Sequence, residues 1–327
     1  MDNKTILNNR WNYTDLKLND YIKLYKHINL KTQDDIQDIF NSIDFNYTDL
    51  NKPISSSQRK KLLRFVEEWK QLDILKGYFE YKVTEILNKR YITNQEMLSI
   101  LLWAVFVKER KQLNEYEKSL FTEIGEDLYK QGIEEIKPKK NKKWSLTWEY
   151  VWSMLCLPNV KGSSWLTYVE ALALTDAQEI ERQTIIQLQQ NKSLNIEDDI
   201  FKNILKKQQN RYISINDDKI SGSLDSQVVE IANRSFLKAG EDAGQKKLRA
   251  RFIAEIDNRT TKMCDGMDGM LFYVNDWNKF YRYSDIDKRD VLYTIKGLKV
   301  GANLPPINNH FHYCRSTITY LVYLTHL

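Results

Sequence analysis

Arg251-Phe252-Ile253-Ala254-Glu255-Ile256-Asp257-Asn258 is the stretch at which the chain changes its period. Phe252, Ala254 and Ile256 alternate with Arg251, Ile253 and Glu255, the two-residue repeat of a strand, and Asp257-Asn258 supplies turn chemistry at its end. The tail at 313–323 alternates again, with Thr317, Ile318, Thr319, Tyr320 and Val322 of β-branched or aromatic type. Between the two, Asp268-Gly269 is a strong turn dipeptide that fits a hairpin into Leu271-Phe272-Tyr273-Val274.

Upstream of Arg251 the apolar residues recur at threes and fours instead. Over 57–89, Leu62, Leu63, Phe65, Val66, Trp69, Leu72, Leu75, Phe79, Val83, Ile86 and Leu87 predict one amphipathic helix, with Ser55, Ser56 or Ser57 as its cap. Further helices are predicted over 94–111, 115–130, 165–188, 196–207 and 224–249, with turn residues at 216–223. Eleven glycines and five prolines in 327 residues favour long helices, since ordinary usage is about 7% and 5%. The expected fold class is mainly α with a C-terminal α+β module, long helices followed by a small β-sheet or hairpin region.

Length supports two domains at roughly 150 residues each, and 42% apolar content suffices for a core. Residues 1–136 read as a helical N-terminal region, 137–143 as a basic linker, and 144–327 as a second region, helical over 144–250 and α+β over 251–327. The linker carries Pro138 and five lysines, Lys137, Lys139, Lys140, Lys142 and Lys143. Such a run can bind nucleic-acid phosphates by counterion release. A solvated hinge is the commoner outcome, because no aromatic residue interleaves with the lysines.

A net charge of +5 from 49 basic and 44 acidic residues permits DNA contact without demanding it. The start, MDNKTILNNRWNY, lacks a basic segment followed by an apolar run, and no window approaches the roughly 18 apolar residues of a membrane span. A soluble protein made in the cytoplasm, with no membrane span, is expected. Three cysteines argue against a disulfide framework. Cys156, beside Leu155 and Leu157, reads as core, and Trp144, Trp148 and Trp152, four apart, read as a core or subunit-interface stripe.

Two constellations carry candidate chemistry. Asp257, Arg259 and Thr260 stand at a strand end, where a carboxylate takes up turn amides and an arginine clamps it; a structural turn lock is the first reading and an active-site acid the second. Cys264, His310, His312 and Cys314 are two thiols and two imidazoles, the inventory of a tetrahedral structural zinc site. His310, His312 and Cys314, two apart, share one face of an extended segment. Packed thiols with hydrogen-bonded histidines are the alternative and the default, because Cys264 has no C-x-x-C partner.

Taken in order, the C-terminal segment offers Ala232-Asn233-Arg234-Ser235 through Gly240 on a helix, the strand at 251–256, and Asp257-Asn258-Arg259-Thr260. It continues through Cys264, Met267-Asp268-Gly269, Pro305-Pro306 and His310-Phe311-His312-Tyr313-Cys314-Arg315-Ser316. This succession resembles the closing segment of the bacteriophage minor head proteins of the phage Mu protein F (head morphogenesis) class. Met267 stands where that class usually has leucine, and 157–165 is similar to a tryptophan-flanked segment of the class. The resemblance covers roughly residues 144–323.

The resemblance implies a structural minor capsid protein rather than an enzyme. It would be present in few copies in the procapsid or virion near the portal, with portal or major capsid protein as partner, and would act in head assembly or in DNA packaging and ejection. Two other classes are carried beside it. Asp257, Arg259, His310 and His312 could form a metal-dependent hydrolase or nuclease site, and the lysine run could serve a DNA-binding ejection protein.

Overall fold

A computed structural model of the chain describes residues 3–71, 78–137, 145–157, 164–216, 219–221, 223–243, 249–254, 267–273, 276–284, 289–293 and 317–321. Its helices are α1 (Asn3–Ser42), α2 (Ser56–Gln71), α3 (Tyr78–Leu87), α4 (Asn94–Ile136), α5 (Trp148–Cys156), α6 (Trp165–Gln189), α7 (Asp199–Tyr212) and α8 (Ser223–Asp242), with a 3-10 turn at Tyr47–Asp49. Its strands are β1 (Ser214–Asn216), β2 (Lys219–Ser221), β3 (Arg249–Ile253), β4 (Leu271–Tyr273), β5 (Asp276–Ser284), β6 (Arg289–Tyr293) and β7 (Thr317–Leu321). The fold is mainly α with a small β region toward the C-terminus. Among the described residues no helix is long and apolar enough to cross a membrane.

Two compact units divide the chain, and neither is a single stretch. One comprises Met1–Tyr21, Lys118–Leu166 and Arg211–Leu327, the other Ile22–Glu117 and Thr167–Asn210. The segment 137–143 falls inside Lys118–Leu166, and of it only Lys137 is described, exposed and at φ 48 where α4 ends.

Among the described residues the regular elements of the second unit are helices. Ile36, Phe40, Leu62, Val66, Val83, Ile92, Leu98, Leu102, Phe106, Ala177, Ile180 and Phe201 belong to its core. Ser55 caps α2 as expected: its hydroxyl accepts the Gln58 N–H at 3.2 Å while the Gln58 side chain accepts the Ser55 N–H at 2.8 Å. Thr93 and Glu96 repeat the box at the start of α4, at 3.2 and 2.9 Å. Arg59 donates to the carbonyls of Leu87, Lys89 and Arg90, which satisfies backbone oxygens at the end of α3.

Several elements differ from their expected bounds. The helix expected over 57–89 is described as α2 and α3, with 72–77 outside the described residues. The two helices expected over 94–111 and 115–130 are one, α4. Nothing between them breaks a helix, and Arg110 Nε donates to Asn114 Oδ1 at 2.7 Å across the supposed gap. The helix expected over 224–249 is described as α8 to Asp242, and Arg249, at its expected end, lies instead in β3 with Ala250, paired with Tyr273 and Phe272 on one side and Leu321 and Tyr320 on the other; 244–248 lie outside the described residues.

In the first unit β3 is inner in an antiparallel sheet of order β6-β5-β4-β3-β7, and Ala250 and Phe252 are buried beneath it. All but four residues of α8 are buried, so the helix runs through the interior of its unit rather than over it. Gly132 of α4 permits the closest approach: a Cβ there would lie 2.7 Å from Ala239 Cβ and 3.0 Å from the Phe236 carbonyl. Helix α5 buries Val151, Met154 and Leu155. Cys156, expected in the core, is exposed because it falls beyond that i, i+3, i+4 face. Trp152 is 45% exposed with its ring 5.7 Å from that of Trp148, so this part of the tryptophan stripe lies at the surface.

Candidate functional site

Of the sequence pattern's candidate site residues, the structure describes Asn233, Arg234, Asp268 and Gly269, all in the first unit. Asn233 faces inward from α8, 1% exposed, and its Oδ1 accepts the hydroxyl of Thr317 at 2.8 Å. Thr317 is fully buried at the start of β7, so this one bond ties the helix to the last strand. Arg234, one residue on, lies some 100° around the helix and pairs with Glu230 at 2.8 Å.

Asp268 and Gly269 sit in the turn that enters β4. Met270 N–H donates to the Met267 carbonyl at 2.9 Å, and Gly269 at φ +76 takes the left-handed position that such a turn requires. Asp268 Oδ1 accepts the Ala254 N–H at 2.9 Å, the Gly269 N–H donates to Phe252 O, and the Phe252 N–H donates to Met270 O. Met267 and Met270 are fully buried beside the turn. Asp-Gly therefore makes a turn into Leu271–Tyr273, as read from the sequence, and that turn is bonded back to the end of β3; 255–266 lie outside the described residues.

Beside Asn233 lies a set of residues that the sequence did not single out. Arg10 of α1 is 2% exposed; its guanidinium stands 3.6 Å above the Phe236 ring and pairs with Glu135 of α4 at 3.1 Å. The second oxygen of Glu135 accepts the Tyr320 N–H at 3.1 Å and the Thr319 hydroxyl at 3.2 Å. Strand β7 is a sheet edge, and Glu135 thereby covers an outward N–H that would otherwise invite pairing with another strand. The Tyr320 ring stacks on Phe236 at 4.6 Å. Its hydroxyl donates to the Phe236 carbonyl at 2.5 Å and accepts the Gly240 N–H at 3.1 Å.

Burial pulls the Arg10 guanidinium below its ordinary value, and the Glu135 carboxylate is the strongest influence opposing that. Burial pushes the Tyr320 hydroxyl well above the usual phenol range. Guanidinium, carboxylate, phenol and hydroxyl are thus each held by stated partners, and what the arrangement does is bind α1, α4, α8 and β7 to one another.

Asp257, Arg259, Thr260, Pro305, Pro306, Arg315 and Ser316 lie outside the described residues, as do Cys264, His310, His312, Cys314, Lys139, Lys140, Lys142 and Lys143. Among the described residues no group of three or more His, Cys, Asp or Glu is placed to hold a metal ion. A signal for Arg10 was present in the sequence: Ile6, Arg10, Trp11, Thr14 and Leu18 repeat at threes and fours, which puts an arginine on a buried stripe. No family model, curated protein or solved structure matches the chain.

Asn233→Ala should destabilise the protein by about 1–3 kcal/mol, because the buried Thr317 hydroxyl loses its acceptor. Adding Thr317→Val should recover part of that loss in urea denaturation; equal or greater loss in the double variant would mean the bond contributes nothing.

Proposed function

We propose that the chain is a bacteriophage minor head protein of the phage Mu protein F class, a structural component of the procapsid or virion near the portal. It would act in head assembly or in DNA packaging and ejection, with portal or major capsid protein as its partner and no catalytic turnover of its own. The observation that carries this reading is the ordered succession in the C-terminal segment, from Asn233-Arg234 through Asp257-Asn258-Arg259-Thr260 and Asp268-Gly269 to Pro305-Pro306 and Cys314-Arg315-Ser316. The geometry supports it at the described positions. Asn233 joins a buried helix to the sheet, and Asp268 and Gly269 set the turn into β4, which suits residues with an architectural role.

The test is cross-linking in assembling particles of the virus that encodes the chain, read by mass spectrometry. Cross-links from this chain to portal or major capsid protein are the expected result. Particles that lack the chain would sink the reading. So would purified protein that degrades nucleic acid or peptide with turnover abolished by His312→Ala.

A further inference from the structure

The second unit as a whole is balanced in charge, with 21 basic and 21 acidic residues, but the charge is not evenly spread. Residues 51–66 hold five basic residues and no acidic one, and 86–95 hold two more, again with no acid. The fold brings these two stretches together. Pro53 bridges Thr93, the Ile54 N–H donates to the Ile92 carbonyl at 2.8 Å, and Arg59 of α2 reaches the carbonyls of Leu87, Lys89 and Arg90 after α3. One surface of seven cations results.

Three of the seven are already engaged. Lys52 pairs with Asp49, Lys89 with Glu96 at 2.6 Å, and the Arg59 guanidinium is held by the backbone carbonyls. Lys60, Lys61, Arg64 and Arg90 are exposed, and no ion pair joins them to an acid among the described residues. On α2 the buried Leu62 and Val66 mark the inner side, and Lys60, Lys61 and Arg64 fall on the outer one. At about 100° per residue the exposed Leu63 lies between Arg59 and Lys60, so the basic face runs from the 87–90 turn across Leu63 to Arg64. Glu67, one turn further along α2, bounds it.

An aromatic ring stands in this face. Tyr91 is 58% exposed, and the Arg90 guanidinium lies 5.1 Å from its centroid. Lysines alone attract any polyanion, and the lysines of 137–143 read as a hinge for want of an interleaved aromatic. Here a ring that can stack a base adjoins guanidiniums and ammoniums that can take phosphates. A duplex keeps its bases stacked on one another and offers Tyr91 nothing, whereas a single strand can splay a base onto it.

We propose that this face of the helical unit binds single-stranded nucleic acid, with phosphates on Lys60, Lys61, Arg64 and Arg90 and a base stacked on Tyr91. The inference rests on the helical unit alone and does not depend on the proposed function. Four phosphate contacts at about −0.7 each give a slope of about −2.8 in log affinity against log salt, so binding should weaken about fiftyfold between about 50 and about 200 mM salt.

Fluorescence anisotropy of a labelled, mixed-sequence single-stranded oligonucleotide with the full chain, titrated with salt, reads affinity and slope together. Lys60→Gln with Arg64→Gln should make the slope shallower by about 1.4 and weaken binding at about 50 mM salt more than about tenfold. Tyr91→Ala should weaken it about five- to hundredfold at unchanged slope, and Tyr91→Phe should restore it. All these side chains are exposed, and an unchanged urea midpoint checks that each variant folds. Wild type that fails to bind at about 50 mM salt would overturn the proposal, as would binding only to phosphatidylserine vesicles. So would a loss that follows glutamine at the five lysines of 137–143 and not the α2 pair. Inorganic polyphosphate or duplex bound as tightly as the single strand, with Tyr91→Ala without effect, would refute the stacking.

Discussion

Phe236→Ala is expected to cost about 3–5 kcal/mol, the range for truncating a fully buried aromatic ring, measured as a shift in urea midpoint at constant slope. Two groups rest on that ring, and a third bond to the same residue's backbone holds the first of them in place. Tyr320 stacks on one side at 4.6 Å, the Arg10 guanidinium stands over it at 3.6 Å, and the Phe236 backbone carbonyl holds the Tyr320 hydroxyl. The close approach at Gly132 keeps α4 tight against this turn of α8, so little can move in to fill the space. Phe236→Leu, which keeps much of the volume, should cost less than half as much. A loss below about 1 kcal/mol for the alanine variant would mean that the site collapses freely and that the interior position of α8 is not held by this ring.

What could be read in advance followed the range of the interactions. The capping serine of α2, the run of α6 and the turn at Asp268-Gly269 are set by residues a few positions apart, and each is found where the sequence placed it. Strand β3 was legible as a strand but begins two residues before the expected start, because Arg249 and Ala250 carry no strand signal until partners on both sides are supplied by β4 and β7. Strands β5 and β6 were not read at all. In Asp276–Ser284 the apolar residues are Trp277, Phe280, Tyr281 and Tyr283, which breaks the two-residue alternation, and antiparallel pairing with β4 at Asp276 and Tyr281 and with β6 over 280–284 supplies what the pattern lacks. Cys156 was misread because apolar neighbours in sequence do not share a helix face.

The same distinction separates the site's two halves. Asn233, Asp268 and Gly269 were singled out by their place in an ordered pattern, and the structure gives each a bond or a backbone angle to account for it. Glu135 meets Arg10 across 125 positions of chain and β7 across 185, so nothing local could announce that they come together. Only the burial of an arginine on an apolar stripe hints that a carboxylate must be brought to it, because a buried guanidinium without one would be far too costly.

Arg10→Ala should therefore also be among the most damaging changes, at about 3–4 kcal/mol. Removing one partner of a buried pair typically costs about 3–5 kcal/mol, and the lower part applies because Glu135 is 34% exposed and water can reach it. Part of the loss is packing, since the guanidinium is stacked on Phe236, and Arg10→Met should recover that part while leaving the charge term. Arg10→Lys should rescue poorly, because an ammonium cannot lie flat on the ring and reach both Glu135 and Gln131. Replacing Glu135 as well would not restore stability as it does for an isolated buried pair: its second oxygen also holds the Tyr320 N–H and the Thr319 hydroxyl at the sheet edge. A double-mutant cycle of Arg10→Met with Glu135→Gln should give a coupling of about 1–3 kcal/mol. A coupling near zero would mean that the guanidinium acts on Phe236 alone and that Glu135 serves the edge strand without it.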